Sequence, residues 1–172
     1  MSSTVVNRVL VIASLVSATG WTSTAFATSA ETEAVVVASL YKDFAWQAFA
    51  SQQDLFGNDL AHQNKATLEK YFAPALSALL FQDSACQIKN QGICNLDFDP
   101  LFNSQDPRIT DLDVATLAPG KVSVKFKDPV NEEITKIQFD VARVAGKWKI
   151  TDIIYGTKSE PSLRKILSRK NP

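Results

Sequence analysis

One histidine, two cysteines and six glycines occur in 172 residues, and each scarcity removes a kind of chemistry. With His62 alone and no Gly-x-Ser-x-Gly elbow, a Ser-His-Asp hydrolase arrangement has little support. The glycines stand singly at turns, so no glycine-rich loop cradles a phosphate. Cys86 and Cys94 lie far from His62 in sequence and fall short of the ligand set that zinc requires. No metal and no other cofactor is therefore expected. Charge of one sign is also missing: 18 basic residues balance 18 acidic ones. No net field draws the chain to nucleic acid or to an anionic membrane. Lys121, Lys125, Lys127, Lys147 and Lys149 form a basic stripe interrupted by Glu133 and Asp140, which reads as the solvated face of a sheet.

Long hydrophobic runs are absent too. The longest at the start, Val9 to Val16, is short of the about 20 apolar residues that cross a bilayer. Arg8 is the only charge in the first thirty residues, and Ala25-Phe26-Ala27 supplies small residues at both positions a signal peptidase reads. Residues 1–27 are thus expected to be a cleaved signal peptide, a retained anchor being the alternative. No cysteine precedes Cys86, so the cleavage point offers no site for a lipid. A periplasmic or secreted chain without a membrane anchor follows. Residues 28–172 then have the length of one domain, long enough to bury about two thirds of the unfolded surface. In an oxidising compartment Cys86 and Cys94 are expected to form one disulfide, the alternatives being a reactive thiol pair or a metal site.

Periodicity divides that domain in two. From Glu31 to about Gln53, Val36, Val37, Leu40, Tyr41, Phe44 and Ala48 recur at helical spacing, predicting one amphipathic helix with Glu31 and Glu33 in its first turn. Leu55 to Asn58 reads as a turn. Asn64 is a suitable N-cap for a segment carrying Leu68, Tyr71 and Phe72, and Pro74 then separates it from a further helix carrying Leu76, Leu79 and Leu80. Residues 84–108 lose the pattern and read as a long irregular loop containing both cysteines. Thereafter the period is two. Val122, Val124 and Phe126, then Ile137, Phe139 and Val141, then Trp148 and Ile150 alternate with polar residues, and Asp111 to Leu117 adds a strand. Pro119-Gly120 and Ala145-Gly146 mark tight turns. Pro161 to Arg169 predicts a short terminal helix. The result is an α+β fold, with N-terminal helices on a curved antiparallel meander of about four strands.

The segment Gly146-Lys147-Trp148-Lys149-Ile150-Thr151-Asp152-Ile153-Ile154-Tyr155, closing a meander, resembles the last strand of nuclear transport factor 2-like, or cone-shaped, domains. Leu68-Glu69-Lys70-Tyr71-Phe72-Ala73-Pro74-Ala75-Leu76 is similar to their helical break. With Asp97-Phe98-Asp99-Pro100-Leu101-Phe102-Asn103-Ser104-Gln105-Asp106 and the flanking cysteines, the chain resembles a bacterial family of exported proteins of unknown function. Members often carry a lipid-anchoring cysteine, which is missing here. The resemblance implies a cone enclosing a pocket, in a fold that hosts isomerases, dehydratases, ligand binders and dimerisation modules.

Two places could carry chemistry. Strict alternation puts Asp152 on the face of Trp148, Ile150 and Ile154, pointing inward. There it is either a general base or a structural carboxylate bonded to backbone or to Tyr41 or Tyr71. Asp97, Asp99, Gln105 and Asp106 form an acidic loop that either contacts a partner or ligand or ends turns through side-chain to backbone bonds. His62, in a polar linker, reads as solvated surface. The first functional expectation is a non-catalytic periplasmic or secreted binding domain. Its contacts would be Asp97, Asp99, Gln105, Asp106, Trp148 and Tyr155, with a small apolar ligand in the cone or a protein at the loop. One alternative is an immunity protein masking a toxin delivered to the periplasm; another is an isomerase or dehydratase using Asp152 as base. A homodimer remains open.

Overall fold

A computed structural model describes residues 32–49, 53–156 and 161–169. The expected signal peptide, residues 1–27, lies outside them, as do Glu31, Ser51, Gln52 and Lys170. Among the described residues, helix α1 spans Ala34–Phe44, α2 Gln53–Phe56, α3 Lys65–Tyr71, α4 Pro74–Asn90 and α5 Leu163–Leu167. Strands β1 (Thr110–Ala118), β2 (Lys121–Lys127), β3 (Ile134–Val144) and β4 (Lys147–Tyr155) form one antiparallel sheet in the order β1-β2-β3-β4. The fold is α+β with a short C-terminal helix.

Helix α1 buries Val36, Val37, Leu40, Tyr41 and Phe44, the apolar stripe its spacing implies. It does not run on to Gln53. After Phe44 the chain tightens into a 3-10 turn, Ala45–Ala48, and Gln47 makes tertiary hydrogen bonds there that override the local helical preference. Nor does Glu33 serve the first turn: it stands before α1 and its carboxylate accepts the Gly120 backbone N–H at 2.7 Å. The expected turn at Leu55 is partly the short helix α2, closed by Gly57 at φ +86°.

The break between α3 and α4 is where Pro74 demands it. Asn64 caps α3 by accepting from the Thr67 N–H, and Pro74 opens α4, where its missing N–H costs nothing. The extended residues between them dock on the sheet edge: Phe72 bridges Ile150, and the Ala73 N–H donates to the Ile150 carbonyl at 2.8 Å. Helix α4 continues to Asn90, so residues 84–90 are helical rather than irregular. The pattern missed this because the buried face of its last turns is polar. Asp83 and Ser84 are buried there, and Asp83 bonds to the chain that follows.

Val122 faces Phe139 and Val124 faces Ile137 across β2 and β3, all four buried against the helices. Ala145 and Gly146 turn β3 into β4 with φ of +49° and +79°, the pair of positive values a two-residue hairpin of this hand needs. On β4 the alternation breaks. Asp152 pairs with Asp140 but Ile150 pairs with Val141, which leaves Thr151 as an extra residue. That bulge reverses parity, so Ile153 and Tyr155 are buried along with Ile150.

The space between α1 and the sheet is filled in part from within the chain, and an open apolar groove of about 570 Å³ remains between α1 and β1, with Ala38, Tyr41, Leu112 and Val114 among its walls. Leu101 and Phe102 of the long loop are buried there, the Leu101 carbonyl accepting from the Tyr41 hydroxyl. Phe102 meets Tyr41 and Phe126 edge to face, and Tyr41 meets Phe139 the same way. Burying a side chain such as Leu101 or Phe102 contributes about 1.5–3 kcal/mol.

Candidate functional site

A cleft with several polar walls lies between the 3-10 turns and the loop that follows α4. It encloses about 580 Å³, and its walls include Trp46, Gln47, Asp59, His62, Phe98 and Asp99. That volume falls within the range of about 300–1,000 Å³ common for small-molecule sites.

Three devices hold the walls. Gln47 donates from Nε2 to Asp99 Oδ2 at 2.6 Å and accepts the Leu60 backbone N–H on Oε1 at 2.5 Å. One amide therefore joins the 3-10 turn Ala45–Ala48, the loop and the second 3-10 turn, Leu60–His62. The buried Asp83 carboxylate accepts the backbone N–H groups of Asn95 and Leu96 and the Gln87 amide, pinning the loop to α4. Cys86 on α4 and Cys94 in the loop form a disulfide across eight residues.

Asp59 caps the second 3-10 turn. Its Oδ1 accepts the His62 backbone N–H at 2.9 Å and also lies 2.8 Å from Nδ1 of the same histidine. With Nδ1 held by the carboxylate, Nε2 is the ring nitrogen left to meet a ligand. The histidine side chain is 43% exposed, so it is solvated as its polar linker implied, yet it is also part of the cleft.

The Asp99 carboxyl is pushed up to about 7. Burial is the first cause and the charge of Asp59 adds to it, while hydrogen bonds from the Leu101 and Phe102 backbone act in the opposite direction. Its Oδ1 accepts the Leu101 N–H at 2.8 Å, the turn bond that an Asp-Pro pair favours. Among the described residues no lysine or arginine forms an ion pair with it.

The structure brings together only part of the expected set. Asp97, Asp99 and Gln105 line the cleft. Asp106 does not: it is exposed, lies 3.5 Å from Arg108 and borders a smaller depression beside β2. Trp148 is elsewhere, its ring stacked under the Arg143 guanidinium at 4.7 Å. Tyr155 is buried and donates its hydroxyl to the Pro100 carbonyl at 3.0 Å; burial and nearby Tyr41, Asp99 and Asp152 push its pKa up. It is a strut under the loop.

The inward orientation of Asp152 is overturned by the bulge at Thr151. Asp152 lies on the opposite side from buried Ile153, where Oδ1 accepts the Arg164 N–H at 3.0 Å and its neighbour Ile153 N–H at 2.9 Å. It neither lines the cleft nor bonds Tyr41 or Tyr71. Tyr41 donates to the Leu101 carbonyl, and Tyr71 donates to Asp43, whose carboxylate helps push the tyrosine up to about 12 after burial.

Sequence reasoning missed Trp46, Gln47, Asp59 and the cleft position of His62. The Asp-x-x-His spacing at 59–62 was the one available signal, being that of an N-cap bonded to the third residue of its turn. Gln47 offered none, since its partners are remote in sequence.

No family model, no curated protein and no solved structure matches this chain. The fold and the cleft therefore define its class by themselves: a small α+β domain with a ligand-sized cleft beside a disulfide-tethered loop.

Proposed function

We propose that the chain is an exported, non-catalytic binding domain whose small ligand occupies the cleft between the two 3-10 turns and the tethered loop. The carrying observation is the cleft of about 580 Å³, braced from three sides by the Gln47 bridge, the Asp83 anchor and the disulfide. A preformed, braced cavity with a few convergent polar groups is what binding sites have in common. The order of helices followed by a four-stranded meander supports a nuclear transport factor 2-like cone, but one plugged by Leu101 and Phe102. The disulfide supports residence in an oxidising compartment. The isomerase reading through Asp152 loses its premise, because that carboxylate caps α5.

A fragment library screened by nuclear magnetic resonance tests this. Hits should shift resonances of Trp46, His62 and Gln105 and leave Phe139 and Ile150 unmoved. Shifts that map to the sheet interior would sink the proposal.

A further inference from the structure

Resting on that reading, we infer that the cleft selects an organic cation, an ammonium or guanidinium group carried on an apolar body, with Asp99 as its counter-charge. The walls hold Asp59, Asp97 and Asp99, and neither lysine nor arginine lines them. The internal ion pairs of the described residues leave Asp97 and Asp99 without a basic partner. Gln47 and the Leu101 N–H hold both carboxylate oxygens of Asp99 in place without neutralising it. An anionic ligand entering here would lose its hydration against the carboxylates of Asp97 and Asp99, which is a large penalty. A cation is stabilised by the same groups.

Geometry separates an organic cation from a metal ion. Among the described residues no three His, Cys, Asp or Glu side chains converge closely enough to hold a metal. The carboxylates are spread around a cavity instead. Between them stand Trp46 and Phe98, half-buried side chains that offer apolar surface for the body of such a ligand. Trp46 is itself steadied by stacking on Phe56 with ring centroids 5.3 Å apart.

Binding is then linked to a proton. The groups facing Asp99 are Asp59 and His62 from the second 3-10 turn, Asp97 from its own loop, Tyr41 from α1 and Tyr155 from β4. None of these supplies a permanent positive charge, so a bound cation does, and it draws the Asp99 carboxyl toward the ionised form. Cation affinity falls as pH drops below about 7, approaching tenfold per pH unit.

The experiment uses three probes of one shape, phenethylammonium, phenethyl alcohol and phenylpropionate, titrated into the folded chain by calorimetry and followed by resonance shifts at Trp46 and His62. Nα-acetyl-lysinamide is added as a fourth probe, to tell a basic side chain from a free arylalkyl amine. The expected result is binding of a cation at least tenfold tighter than of the alcohol, no binding of the carboxylate, weakening below pH 7, and at least tenfold loss in Asp99→Asn. Equal or tighter binding of alcohol or carboxylate in the cleft overturns the charge selection and leaves the cleft itself standing as a binding site. If no fragment of any charge shifts cleft resonances, both proposals fall. The comparison among probes is made on the unaltered chain, so it stands even where Asp99→Asn misfolds.

Discussion

Gln47 and Asp99, 52 residues apart, meet through one amide N–H at 2.6 Å, and the carbonyl of that same amide accepts Leu60 at 2.5 Å. A single side chain thereby fixes the distance between the two walls of the cleft. Its removal leaves Asp99 short of a donor and the Leu60 N–H without its acceptor.

Gln47→Ala should therefore destabilise the domain by about 1–3 kcal/mol, the cost of unsatisfied polar groups that are partly or wholly buried. Urea unfolding measures the loss, and hydrogen exchange at the Leu60 amide should accelerate. Unchanged stability together with a still-protected Leu60 would show that the bridge holds nothing.

The loop is tethered twice over, which separates two variants. The disulfide closes eight residues and should contribute about 2–3 kcal/mol by restricting the unfolded chain. Reduction should lower the unfolding midpoint but leave the Asn95 and Leu96 amides protected, because Asp83 still accepts them. Asp83→Ala should do the opposite, exposing both amides to exchange with the disulfide intact, at about 2–3 kcal/mol. Loss of Leu96 protection on reduction alone would make the disulfide the principal tether.

Asp99 gives the domain a pH dependence of known sign. Its carboxyl is raised in the fold to about 7 from an ordinary 3.8, so the folded state holds the proton more tightly than the unfolded state does. The associated stability is complete below about pH 4 and is lost as pH rises through 7, amounting to at most about 4 kcal/mol. Unfolding free energies of the wild type and Asp99→Asn, measured from about pH 4 to 9, should diverge in that direction and level off above about pH 8. A difference that does not change over that interval would place the Asp99 carboxyl in its ordinary range.

The strands and the α3–α4 break were legible because each rests on a local rule: alternation for Val122 to Phe126, and the missing N–H for Pro74. The end of α4 was not, since its buried face carries Asp83 and Ser84, which leave no trace in a hydrophobic pattern. The cleft was half legible. Asp97, Asp99 and Gln105 stood out by composition, but Gln47, Asp59 and His62 join them through side-chain hydrogen bonds or a shared cavity that no periodicity encodes. Asp152 was misplaced for a single reason, the extra residue Thr151. An inserted residue in a strand turns every later side chain to the other face, and alternation alone cannot reveal it.

That inversion makes Asp152 a test of structure against chemistry. Its carboxylate accepts the Arg164 N–H at 3.0 Å, in the first turn of α5, while Ser162 Oγ accepts the Lys165 N–H at 3.4 Å. Between them these oxygens satisfy two of the N–H groups that a helix start leaves open. α5 then holds Leu163, Ile166 and Leu167 in the core. Asp152→Ala should cost about 1 kcal/mol, as loss of a helix cap does. Faster hydrogen exchange should be confined to α5 and the end of β4, and cation binding in the cleft should be unchanged. A variant of full stability that had lost ligand binding would return Asp152 to the functional site and remove the capping role argued from its geometry.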